Sequence, residues 1–246
     1  MNKGMPAVLT LLLLAAVAAS TVIGQKQTKS WKEWSKNEAE KVLSDSPWAH
    51  FQVDTDTSEM FFQPTTDART SRAPNANSRL EQGATNQATS VKYGIRFFSA
   101  RPVRQAFMRV IQLKEKDLGP DVIGRMNSFA ELPSTESIII AMTIEGTDKR
   151  SLGKVMQIID SATTGTLKNT TYLERNDGKR VFLEEYVPPG KDGFGARFIF
   201  RRIVDERPFL SKDFSDVRFV SEFGTTIKLN MRFKLSDMLL NGELEY

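Results

Sequence analysis

The chain lacks cysteine altogether and carries a single histidine, His50, among its 246 residues. Without thiols there is no disulfide, no thiolate metal site and no cysteine nucleophile. One imidazole excludes a two-histidine zinc site within the chain, and a Ser-His-Asp triad would have to use His50. Tryptophan is scarce as well, and its three copies, Trp31, Trp34 and Trp48, stand close together near the start. Charge of one sign is also lacking. The 34 basic and 30 acidic residues leave a net charge of only +4, weak grounds for a nucleic-acid partner. There is no internal repeat. Beyond the first two dozen residues, no run is long and apolar enough to span a bilayer.

What is present begins with a targeting pattern. Lys3 supplies a short positive region, Val8 to Ala19 is apolar apart from Thr10, and Ala16-Val17-Ala18 fits a small-residue cleavage site. Residues 1–24 are therefore read as a signal peptide, with cleavage after Ala18, Ser20 or Gly24. The open alternative is an uncleaved anchor over Pro6 to Ile23. Either way the remaining chain is expected outside the cytoplasm, periplasmic or extracellular. That location argues against nucleic acid as partner and against cytosolic cofactors such as NAD or ATP.

Residues 25–246 read as one α+β domain. Ser35 and Glu38 form a capping box, Trp34 precedes it as a hydrophobic staple on Ala39, and Pro47 ends the helix. His50 to Gln63 alternates as a strand. Pro64 to Ser90 is polar and free of aromatics, so it is expected to be a mobile loop inside the domain. Strand alternation resumes at Val91. Ser99 can cap an amphipathic helix with Val103, Ala106, Phe107, Val110 and Ile111 inward, leaving Arg101, Arg104, Arg109 and Lys114 on a solvated face. Leu118 to Ser134 looks irregular, with at most a helical turn after Pro120. Ser137 to Gly146 is apolar on both faces and predicts a central strand, and Ser151 is read as the cap of a further helix. Five more strands follow, with turns at Asn176-Asp177-Gly178 and Gly224. The total is a mainly antiparallel sheet of about seven or eight strands under two or three covering helices.

Three segments, "WSKNEAEKVLSDSPWA", "FFSARPVRQA" and "IKLNMRFKLSDMLLNGELEY", resemble a group of exported bacterial proteins of unknown function. That group carries W-[ST]-x-x-E-x-x-x-[VIL]-L-x-x-S-P-W-A after the signal peptide, then W-x-S-A-x-P-[VI]-R-x-A, and ends on F-x-L-x-x-M-x-x-x-G-x-L. Trp34, Ser46, Pro47, Trp48 and Ala49 match the first segment. Ser99, Ala100, Pro102, Arg104 and Ala106 match the second, and Phe233, Leu235, Met238, Gly242 and Leu244 the third. Phe97 stands where the group has tryptophan. The resemblance implies one domain outside the cytoplasm and no particular reaction.

Each candidate for chemistry has a plain competitor. His50 could be a general base, but no hydroxyl or acid stands at a telling spacing from it. Ser151-Leu152-Gly153-Lys154 matches S-x-x-K without the companion motifs of serine acylases, and Ser151 is explained as a cap. Glu184-Glu185, Asp205-Glu206 and Asp213-Asp216 are carboxylate pairs of the kind glycoside hydrolysis needs, although adjacent residues in a strand point to opposite faces. Gly190 to Gly195 lacks the lysine and helix of a phosphate loop and reads as a hairpin loop. Trp31, Trp34 and Trp48 could form an aromatic patch for a glycan or peptide, or simply pack the first helix on the sheet. These features point to an envelope or extracellular binding module, without cofactor or metal and with no catalytic residue identified. Its partner would be a protein or glycan of the cell envelope. A carboxylate-dependent, glycosidase-like hydrolase and a membrane-tethered component remain as alternatives.

Overall fold

The computed structural model describes residues 29–57, 88–115, 117–133 and 136–246. The expected signal peptide lies outside the described residues, as do residues 58–87, which hold nearly all of the expected loop. The chain divides into Met1–Ser30 and Trp31–Tyr246, and the account below concerns the second unit. Among the described residues no helix is long and apolar enough to cross a membrane.

A single 3-10 turn, Trp31–Glu33, leads to α1 (Lys36–Ser44). The capping box forms as the sequence predicts: the Glu38 N–H donates to the Ser35 hydroxyl and the Ser35 N–H to the Glu38 carboxylate. Strand β1 (Ala49–Asp56) pairs antiparallel with β2 (Thr89–Phe97). Pairing with Thr55 and Asp56 draws Ser90 and Thr89 into the ladder, so β2 starts before Val91. Next come α2 (Arg101–Lys114), α3 (Pro120–Glu131), β3 (Ser137–Gly146), α4 (Lys149–Ser161) and a short α5 (Thr164–Leu167). The remainder is β4 (Tyr172–Arg175), β5 (Arg180–Phe182), β6 (Glu185–Val187), β7 (Ala196–Arg201), β8 (Ile203–Val204), β9 (Arg207–Pro208), β10 (Asp216–Phe223), β11 (Ile227–Lys234), β12 (Leu239–Leu240) and β13 (Glu243–Leu244).

Two antiparallel sheets dominate, sheet I in the order β1-β2-β3-β7-β6 and sheet II in the order β11-β10-β4-β5. β3 is the middle strand of sheet I, as its apolarity on both faces requires. The facing sides of the sheets interleave aromatic rings edge to face: Phe97 against Phe233 at 4.8 Å and Phe198 against Phe219 at 5.1 Å between centroids. Ile95, Ile140, Met142 and Val217, all fully buried, fill the space between. This is sandwich packing, in which every second residue of each strand faces inward. Helices cover the far side of sheet I. There the Arg96 guanidinium lies 5.7 Å from the Phe107 ring of α2, and burial pushes its pKa down to about 10, partly opposed by Glu145.

The α+β, mainly antiparallel class stands, and the detail differs in instructive ways. There are thirteen strands and five helices among the described residues. Four of the strands are two-residue hairpin arms. Another arises because the run from Arg180 to Tyr186, continuous in its alternation, changes sheets: Leu183 N–H donates to Thr171 O, then Glu184 N–H donates to Ile199 O across in sheet I. Alternation runs on through such a corner, so the sequence shows no break there. α3 occupies the stretch expected to be irregular. Pro120 opens it, where a missing N–H costs nothing, and Phe129 and Ala130 pack into the core.

Two predicted caps are also corrected. Ser99 does not cap α2; its hydroxyl accepts from Ile139 N–H at 3.1 Å, and Ala100 holds the cap position. Asp148, not Ser151, caps α4, accepting from Ser151 N–H at 2.8 Å. The solvated basic face of α2 is corrected for its arginines: Arg104 is 1% exposed and Arg101 and Arg109 are half-buried, while Lys114 is exposed as expected. The Arg104 guanidinium donates to Ser99 O and Leu132 O, Arg109 Nε donates to Trp34 O at 2.7 Å, and Arg101 pairs with Glu245 at 3.3 Å. Three arginines on one helix serve as ties because their long stems reach acceptors across the packing layer, backbone carbonyls for Arg104 and Arg109 and the Glu245 carboxylate for Arg101.

Candidate functional site

The stretch from Ser44 to His50 decides what faces inward and what faces solvent. Ser46 Oγ donates to Val42 O at 2.7 Å, and Ser46 and Ala49 exchange N–H···O bonds of 3.1 Å. The tight turn drives Trp48 into the core, where Nε1 donates to Glu245 O at 2.7 Å. Pro47 and His50 project the other way and form one wall of a groove of about 800 Å³. The loop 212–216, Arg232 and Lys234 of β11, and Ser236 and Asp237 complete it.

The polar groups of the groove are internally paired. Ser215 Oγ bonds to Asp216 Oδ2 at 2.6 Å, and Arg232 Nη2 donates to the same oxygen at 2.6 Å. The Arg232 bond above all, with the Ser215 bond and the charges of Arg232 and Arg218, holds the Asp216 carboxyl below the usual carboxylate range against the opposing effect of burial. Ser236 Oγ bonds to Asp237 Oδ1 at 2.9 Å, with Lys234 Nζ 3.5 Å from that oxygen. His50 stacks on Phe233 with centroids 5.0 Å apart. Burial lowers its pKa, partly opposed by Asp45. Among the described residues nothing hydrogen-bonds the imidazole, and the hydroxyls of Ser215 and Ser236 are bonded to carboxylates instead. A carboxylate held ionised by an arginine, as Asp216 is, is a weak base toward a hydroxyl. Among the described residues no group of three or more His, Asp or Glu could hold a metal ion.

His50 gives a pH test. Its folded pKa lies below the ordinary 6.5, so the unfolded chain takes up the proton first as pH falls. The contribution is fully present above about pH 6.5 and is lost below it. The melting temperature of the native protein is expected to fall more than that of His50→Gln between about pH 7.5 and 5.5. A constant difference between the two across that range would show that burial does not disfavour the imidazolium.

The other sequence candidates take structural places. Trp31 is 6% exposed and its Nε1 donates to Glu131 Oε1 at 2.5 Å, Trp48 is 9% exposed, and Trp34 packs half-buried at the edge of the core. Asp205 and Glu206, at φ of 52° and 62°, make the turn between β8 and β9. Glu184 pairs with Arg201 at 3.1 Å. Ser151 Oγ meets Thr89 Oγ1 at 3.3 Å in the first turn of α4, and Lys154 is exposed. Gly190 to Gly195 is the β6–β7 hairpin loop. The sequence singled out His50 and the Asp213-Asp216 pair but had no means of joining them, nor of adding Arg232 and Lys234, because β1 lies in sheet I and meets the β10–β11 pair of sheet II only across the core.

No protein-family model, curated protein or solved structure matches this chain.

Proposed function

We propose that the protein is an exported binding module of the cell envelope or extracellular space, working without a cofactor, and that the groove beside His50 is its recognition site. The observation that carries this reading is the internal pairing of the groove. Its hydroxyls and at least one of its carboxylates are fixed as donors and acceptors, and Asp216 is held ionised by Arg232. A glycosidase acid must instead keep its proton near neutral pH through a raised pKa. Among the described residues, the five carboxylates whose pKa is displaced, Asp148, Asp177, Asp192, Asp205 and Asp216, all move downward.

The resemblance to exported proteins adds support. Its three motif segments meet at one place: Trp48 and Arg101 both bind Glu245, whose N–H donates to Met238 O at 3.0 Å. The motifs thus describe a framework that holds the groove walls in register. Mass spectrometry of the exported protein is expected to find a start at Ala19, Thr21 or Gln25, and an intact N-terminus would favour the tethered alternative.

The lone histidine also makes the groove directly observable. Its imidazole Cε1–H and Cδ2–H resonances are expected to shift saturably when envelope glycan fragments are titrated in, with the fragments unchanged afterwards. Hydrolysis of a fragment that is lost in Asp216→Asn would overturn the reading in favour of an enzyme.

A further inference from the structure

Sheet II turns one face to the core and the other to solvent. Along β10, Val217, Phe219, Ser221 and Phe223 are buried and Arg218 is exposed. The register carries the outward residues across the sheet in rows. Arg218 stands opposite Glu174 on one side and Arg232 on the other, and Glu174 stands opposite Arg180. The next row sets Phe182 opposite Tyr172. Rows of this kind lie about 7 Å apart along the strands, and strands about 4.8 Å apart across them.

The chemistry of the face is mixed by design of the register. The Glu174 carboxylate takes both Arg180 and Arg218, the latter at 3.1 Å, so one acid faces two guanidiniums and the row stays positive. Arg180 and Arg218 are each 47% exposed and Arg232 72%, which leaves N–H donors of each fork open. Arg180 lies 4.4 Å from the centre of the Tyr172 ring. Phe182 is the open ring beside it, 48% exposed and 5.6 Å from Tyr172. Through Arg232 the face runs directly into the groove.

We infer that the outer face of sheet II binds an acidic polysaccharide built from uronic-acid units. This rests on the binding-module reading and supplies the class of its partner. The three guanidiniums answer the sugar carboxylates. The apolar face of a sugar ring covers Phe182, a stacking surface that the phosphodiester backbone of a duplex does not offer. A single-stranded nucleic acid would call for several open stacking rings in line, and this face has one. A membrane surface would call for a larger apolar area or a lysine cluster.

The test is calorimetric titration of the full-length protein with polygalacturonate, neutral dextran and double-stranded DNA, followed by assay of new reducing ends in the same samples. Polygalacturonate is expected to bind and dextran not to. Phe182→Ala and Arg218→Gln are each expected to weaken binding about tenfold without moving the melting temperature, and added salt to weaken it further. DNA binding as tight as polygalacturonate, or binding indifferent to both substitutions, would overturn the assignment of this face. Failure of polygalacturonate to bind, with no new reducing ends, would overturn this assignment alone. New reducing ends would instead overturn the binding-module reading.

Discussion

Trp48→Ala is expected to lower the melting temperature by about 10 °C. Removing a buried tryptophan costs about 3–5 kcal/mol, and in a chain of this size each kcal/mol moves the midpoint by about 2–4 °C. The indole is 9% exposed, and its Nε1–H is the donor to Glu245 O at 2.7 Å. The loss is therefore double: a cavity between α1 and sheet I, and a carbonyl left without its partner. Glu245 is itself a junction. Its carboxylate takes the Arg101 N–H at 3.1 Å and the Arg101 guanidinium at 3.3 Å. Next to it, Arg202 donates to Tyr246 O while the Tyr246 hydroxyl donates to Leu210 O at 3.0 Å. Trp48→Phe separates the two parts, since it keeps most of the ring and loses only the donor, for about 1–3 kcal/mol. Thermal unfolding followed by circular dichroism reads both. A midpoint for Trp48→Ala within a degree or two of the native protein would show that the indole does not hold these segments together.

Gly195→Ala is expected to be as damaging, by a different route. Gly195 ends the β6–β7 hairpin loop at φ +77°, one residue before β7. A methyl group there would lie 2.1 Å from Met142 O, inside the backbone of the central strand β3. Gly193 supplies the control in the same loop, with φ +76° and nothing within 4 Å of an added Cβ. Both substitutions pay the left-handed penalty of about 1–2 kcal/mol. Only Gly195→Ala must also push β7 off β3, breaking the pairing of Met142 with Ala196. The fall in midpoint for Gly195→Ala is expected to be several times that for Gly193→Ala. Equal falls would mean that the hairpin yields without disturbing sheet I.

These two residues show what could be read in advance. The turn around Gly190 to Gly195 was legible, because glycine-rich sequence between alternating runs predicts a hairpin. The collision that makes Gly195 special was not, because Met142 belongs to a strand fifty-odd residues earlier. The capping box of α1 was legible for the same local reason, since Ser35 and Glu38 touch each other. Ser99 was misjudged as a cap because a tertiary neighbour, Ile139 N–H, took its hydroxyl, and Ser151 because Asp148, three residues earlier, is itself a capping residue and starts the helix first. The basic stripe of α2 was misjudged because periodicity locates a helix face but does not say which further layer covers it. Here the covering comes from Trp34, Leu132 and Glu245.

The candidate site divides the same way. His50 stood out by being alone, and Asp213 and Asp216 by being paired. That they share a groove with Arg232, Lys234 and Ser236 follows from the antiparallel register of β10 with β11 and from the stacking of His50 on Phe233. By itself the sequence determined the α+β class, the central place of Ser137 to Gly146, the first helix with its cap, and the exclusion of thiol and two-histidine chemistry. All of these depend on residue identity or on neighbours within a few positions. Only the tertiary structure decided the split into two sheets, the burial of Arg96 and Arg104, and the rows of charge on the outer face of sheet II. Those depend on which distant strands pair and in what register, and register is set by the burial of both sheets at once.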